Sequence, residues 1–135
     1  MSKLLLDTHA LIWLAEKDAR LGKKALAHIT KAHAADALFV SAISFWEVGM
    51  LVAKKRILLS RPLDFWRADV IAGGIAEIPV SGDIALLATQ LDWSHADPAD
   101  RLVVASSMLS GAGLITADKV ILRYRTTLKR WDARK

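Results

Sequence analysis

Residues 3–15 read KLLLDTHALIWLA, a short apolar run that halts at a carboxylate, Asp7, before a second apolar stretch begins. Residues 3–6 have the length and composition of a buried strand. Residues 8–16, apolar on nearly every side, suit a helix packed into a core. Asp7 then stands at a strand's carboxyl end. The pattern returns at residues 113–122, GLITADKVIL, where the run 114–116 leads into Asp118. Two acids placed alike at the ends of apolar strands call for a shared explanation.

The residues between them alternate in kind. Leu21, Ala25, Ile29 and Ala32 form a stripe opposite Lys23, Lys24 and Lys31, which predicts a helix over 21–35. A strand is expected at 38–40, then a helix over 42–55 with Ser41 as N-cap and Lys54, Lys55 and Arg56 at its negative end. Pro62 opens a helix that Gly73 and Gly74 stop after Ala72. A third strand is expected at 75–80, followed by a helix capped by Ser81 and running to Leu91. A helix over 98–110 ends at Gly111 and Gly113, leading to the strand 114–116, a short helix over 119–123 and a last strand at 127–131. Strands alternating with helices predict an α/β fold with a mainly parallel sheet and right-handed crossovers.

A chain of 135 residues, 53% hydrophobic and 24% charged, fits one globular domain over 1–135. The sequence has no cysteine, so disulfides and thiolate metal sites are excluded, and a reducing cytoplasm is the expected compartment. Asp7 and His9 interrupt the first apolar run, so no secretory leader is expected. The longest near-apolar stretch, residues 38–53, contains Ser41, Ser44 and Glu47 and falls short of the roughly 18 residues of a membrane span. The net charge is +5, and Lys119, Arg123, Arg125, Lys129, Arg130, Arg134 and Lys135 crowd the C-terminal end against Asp132 alone, which favours a polyanionic partner.

Ligands of an open parallel sheet bind beyond the carboxyl ends of its strands. Asp7 and Asp118 belong there, and Asp97 and Asp100, in the loop and first turn of the helix over 98–110, enter from the same edge. Each has an ordinary alternative. Asp7, Asp97 and Asp118 read equally as helix N-caps, Asp97 with Pro98 at N1, and Asp100 as a first-turn acid or a partner of Arg101. Glu47 is harder to dismiss, because AISFWEVGMLVA surrounds it with apolar residues and no basic residue lies within a helical turn. A carboxylate so placed needs a partner, a distant arginine or a cation. Two unit charges ~4 Å apart repel by about 4 kcal/mol at an effective dielectric near 20. A divalent cation removes that cost, and with oxygen donors and no thiolate the fitting ions are Mg²⁺ and Mn²⁺. His28 and His33 are read as surface residues, and His95, beside the acidic loop, gives at most a weak metal-ligand signal.

Taken together, LLLDTHALIW, VSAISFWEV, HADPADRLVVAS and LITADK resemble the PIN-domain family, most closely the VapC-type toxins of bacterial toxin–antitoxin pairs. The resemblance implies a three-layer α/β/α sandwich and a metal-dependent endoribonuclease. It places the family's acidic quartet on Asp7, Glu47, Asp100 and Asp118, all four present, and assigns Asp97 to capping. Thr116, the hydroxyl residue before the last acid, is expected to hold a water at the metal. Arg101 is expected to pair with Asp100, with phosphate contact as the lesser alternative. The partners it implies are RNA, with transfer RNA a candidate substrate, a cognate antitoxin whose tail enters the acidic groove, and a second copy of the chain.

Phe45, Trp46, Met50, Leu51, Phe65 and Trp66 can serve such surfaces, although their helical spacing favours the core. A haloacid-dehalogenase-like phosphatase is excluded because His9 stands where its second aspartate belongs, and a response-regulator receiver because the first strand lacks an adjacent acidic pair. The competing reading from another class is a non-catalytic RNA-binding or partner-binding module whose acids are caps.

Overall fold

In the computed structural model, residues 2–95 and 97–135 are described. They run β1 (Leu4–Leu6), α1 (Thr8–Ala15), α2 (Lys23–Ala34), β2 (Leu38–Ser41), α3 (Ala42–Ala53), α4 (Leu63–Ala72), β3 (Ala76–Ile78), α5 (Gly82–Gln90), α6 (Pro98–Ser110), β4 (Gly113–Thr116), α7 (Lys119–Arg123) and β5 (Arg130–Asp132). The strands form one five-stranded sheet in the order β3-β2-β1-β4-β5, and every pairing is parallel.

That order winds outward from β1 in two directions. Side chains along a strand alternate between faces, so Leu4, Leu6, Leu38, Val40 and Ile115 pack with residues of α1 to α4. Leu5 and Leu114 pack on the opposite face with Val103 and Val104 of α6 and Ile121 of α7. The result is the expected three-layer α/β/α sandwich, with Leu5, Leu6, Val40, Leu114 and Ile115 sealed from solvent at its centre. Because the winding reverses between β1 and β4, a crevice is expected where those two strands end. Asp7 and Asp118 flank it.

Most boundaries follow the sequence signals. Ser81 caps α5 through its hydroxyl, Asp97 caps α6 with Pro98 behind it, and Gly111 ends α6 in the left-handed conformation (φ 66°). Three differ. Pro62 occupies the N-cap of α4 rather than its first turn. The edge strand β3 stops at Ile78, since Pro79 has no N–H to extend the ladder. The last strand begins at Arg130, not at residue 127, because the Arg130 guanidinium turns back onto the carbonyls of Leu128, Ile121 and Tyr124 and holds the preceding residues in a turn. Gly113 is required where β4 meets β5: a Cβ there would lie 2.4 Å from the Trp131 ring.

Candidate active site

Asp7 leaves β1 and caps α1, its Oδ1 accepting from Ala10 N at 2.8 Å. Capping engages only half of the group. Oδ2 accepts from the Thr116 hydroxyl at 2.5 Å and from Ala117 N at 3.3 Å, so the carboxylate ties β1 to the end of β4. Only 6% of Asp7 is exposed. Burial pushes its pKa above the usual carboxylate range, and the Thr116, Ala10 and Ala117 donors pull against that rise. The Thr116 hydroxyl donates to Asp7 and accepts from Asp118 N at 3.0 Å, and its second lone pair remains available to a water.

Glu47 lies on α3, less than two turns from the Ser41 cap, and faces the start of α1. The Thr8 hydroxyl bonds to Glu47 Oε1 and also lies 2.9 Å from Ser44 Oγ; Thr8 and Ser44 are both buried. A hydroxyl has one proton to give, and the carboxylate is the stronger acceptor. Among the described residues no arginine pairs with Glu47, so the distant ion pair considered from the sequence is not its solution. Desolvation raises its pKa most; the Thr8 bond opposes this, and the charges of Asp97 and Asp7 add to the rise.

Asp100 sits in the first turn of α6, where its backbone N–H donates to the capping Asp97 at 3.1 Å. Its Oδ2 lies 2.6 Å from His95 Nε2. Burial, together with the negative charges of Asp97, Asp118 and Glu47, lifts its pKa to about 7 against the opposing pull of the His95 bond. Asp118 caps α7 with Oδ1 alone, accepting from Val120 N and Ile121 N, and keeps Oδ2 for other use. Asp100 is shared by two clusters whose ligand atoms lie within 4.8 Å of one another: Glu47, Asp97 and Asp100 in one, His95, Asp100 and Asp118 in the other. Asp7 belongs to neither cluster and forms the buried floor beside them.

Arg101 does not pair with Asp100. Its guanidinium donates to four backbone carbonyls, those of Ala88, Leu91, Trp93 and His95, and so fastens the loop between α5 and α6. The Trp93 ring stacks on Tyr124 at 4.8 Å and meets His95 at 4.8 Å on its other contact. His95 is therefore the residue the sequence underrated. Its spacing of five from Asp100 carries no helical signal, since it lies in the loop ahead of α6 rather than on that helix.

The donor set fits a hard divalent cation. Glu47, Asp100 and Asp118 converge at half-buried positions beside the exposed Asp97, no arginine or lysine pairs with them among the described residues, and burial, with repulsion from neighbouring carboxylates, raises the pKa values of Glu47 and Asp100. Glu47, Asp97, Asp100, Asp118 and His95 all present atoms that can hold such an ion. Of the apolar residues weighed for core or surface, Phe45 and Trp66 are core, whereas Trp46 (59%), Phe65 (56%) and Met50 (37%) are exposed.

An all-parallel sheet whose switch point gathers acids from four separate segments is the arrangement of a PIN domain, and the PIN domain family model matches residues 4–126. The chain belongs to the PIN-domain family. Within that family it falls with the VapC proteins: it is 32% identical over 126 residues to Ribonuclease VapC22 of Mycobacterium tuberculosis (strain ATCC 25618 / H37Rv), covering 93% of this chain and 94% of the relative. Among solved structures it is similar to VapBC2 from Rickettsia felis bound to a promoter DNA fragment, with a TM-score of 0.68 at 16% identity over 96% of this chain and 98% of that one. DNA-bound VapBC from Salmonella typhimurium gives 0.68 at 15% identity over 98% of each chain. At these identities the structures establish the shared fold.

Proposed function

We propose that the chain is a metal-dependent endoribonuclease, the toxin of a toxin–antitoxin pair. The observation that carries this reading is the position of Asp100, common to two clusters of ligand atoms at the switch point of the sheet. Glu47, Asp100 and Asp118 would hold Mg²⁺ or Mn²⁺, with Asp7 completing the quartet through Oδ1, which accepts a single hydrogen bond and keeps a lone pair. A cation bound there supplies Lewis-acid charge, polarising the scissile phosphate and activating water.

The chain's own residues do the rest. Thr116, Ala10 and Ala117 fix the Asp7 carboxylate in the floor, and Thr8 orients Glu47. The Arg101 anchor keeps the loop bearing His95 against Asp100, so the acids meet the substrate in a set geometry rather than being ordered by it. Exposed Lys119, Arg123 and Arg125 follow Asp118 directly and would bind the RNA backbone as it crosses the rim. Exposed Trp46 and Phe65 suit contact with a cognate antitoxin or a second copy. Among the described residues no helix is long and apolar enough to cross a membrane, in keeping with action in the cytoplasm.

The test is cleavage of labelled transfer RNA and other structured RNAs with Mg²⁺ or Mn²⁺ and with EDTA, beside Asp100→Asn shown by circular dichroism to be folded. Metal-dependent cutting that the variant loses is the expected result. Equal cutting by the variant would point to a contaminating nuclease. No cutting of any RNA by the wild type would move the assignment to the non-catalytic module.

A further inference from the structure

We propose that His95 is itself a metal ligand, its imidazole nitrogen joining Asp100 and Asp118 in one cation site, and that this nitrogen biases the site toward Mn²⁺ over Mg²⁺. The inference rests on the metal-centre reading above and goes beyond its all-carboxylate quartet. His95, Asp100 and Asp118 each present a ligand atom within 4.8 Å of the other two. Nε2 stands 2.6 Å from Asp100 Oδ2, and both side chains are about one-fifth exposed, at 20% and 19%. Ligands ~2.1 Å from one ion stand about 3 Å apart, so the pair needs to open by only a few tenths of an ångström.

The placement of His95 is built rather than incidental. Arg101 grips the carbonyls of Trp93 and His95 itself, and the Trp93 ring, stacked on Tyr124, supports the imidazole. A loop secured by one guanidinium and one aromatic stack presents a single nitrogen to the acids. Imidazole is a softer donor than carboxylate and suits first-row transition ions, whereas Mg²⁺ prefers oxygen and retains its waters. A nitrogen in the set therefore raises affinity for Mn²⁺ more than for Mg²⁺.

The experiment titrates Mn²⁺ into the full chain, wild type and His95→Gln, and reads electron paramagnetic resonance with electron spin-echo detection of nitrogen coupling. Mg²⁺ affinity follows from competition. The expected wild-type signal carries coupling from one directly bound nitrogen. In His95→Gln, folded by circular dichroism, that coupling disappears, Mn²⁺ affinity falls about tenfold or more, and Mg²⁺ affinity changes far less. Mn²⁺ bound without nitrogen coupling, or coupling that survives in the variant, would overturn the proposal and leave His95 as a hydrogen-bond clamp on Asp100. Wild type that binds no Mn²⁺, or Asp100→Asn that binds it equally well, would instead overturn the metal-centre reading on which this proposal depends.

Discussion

The Thr116 hydroxyl donates to the Asp7 carboxylate across 2.5 Å, joining residues 109 positions apart at the ends of β4 and β1. Removing that donor leaves a buried carboxylate with only the backbone amides of Ala10 and Ala117. Thr116→Val should lower stability by about 1–3 kcal/mol, the cost of an under-satisfied buried group, and should abolish most RNA cleavage. Thr116→Ser should retain both. Urea unfolding and cleavage rates measured together check this, and an active, fully stable valine variant would refute the role given to the bond.

Asp100 makes stability depend on pH in a defined direction. In EDTA the folded chain keeps its proton up to about 7, whereas the unfolded chain releases it near 3.8. Between those values the folded state binds more protons, so this group's contribution to stability is present at the acid end and is lost as pH rises through 7. The wild type should therefore lose stability relative to Asp100→Asn as pH rises from 4 to 7, read from urea midpoints. Added Mg²⁺ or Mn²⁺ should restore the wild type at neutral pH and leave the variant little changed. A wild type that gained on the variant as pH rose would contradict the raised pKa.

Arg101 tests the loop. Lysine keeps the charge but cannot reach the carbonyls of Ala88, Leu91, Trp93 and His95 together. Arg101→Lys should cost about 2 kcal/mol or more and speed amide exchange around residues 91–95, while exchange in β1 and β4 changes little. If the loop stays protected, Arg101 is not its anchor.

The basic residues after Asp118 predict a salt effect. Replacing Lys119, Arg123 and Arg125 by glutamine should weaken RNA binding without altering the rate at saturating substrate. The slope of log affinity against log salt should fall by about 2 if all three meet phosphates of a single strand. Arg130 and Arg134 should matter less to RNA, because their guanidinium groups already bind the carbonyls of Ile121, Tyr124, Leu128 and Ala117. An unchanged slope would place the RNA path elsewhere.

The contrast between Asp118 and Arg101 shows where sequence reading succeeds. Asp118 follows an apolar strand and precedes a short helix, and both signals lie in adjacent residues, so its position at the sheet edge was legible. Arg101 also lies beside an acid in sequence, and adjacency suggested a pair. In the fold, its side chain serves the carbonyls of a loop instead, and Asp100 meets His95. The same holds for Trp46 and Trp66, two helical tryptophans that each follow a phenylalanine, of which only the second is core.

The sequence by itself determined the order of strands and helices, the parallel α/β class and the placing of Asp7, Asp97, Asp100 and Asp118 at strand ends and helix starts. Those features depend on alternation, capping and glycine or proline signals, all local in the chain. Only the tertiary structure decided that Thr116 serves Asp7, that Thr8 serves Glu47, and that His95 joins Asp100 and Asp118. Such partners are chosen by which groups remain unsatisfied when β1 and β4 pair and Arg101 takes the carbonyls of Trp93 and His95, and no local pattern encodes that choice.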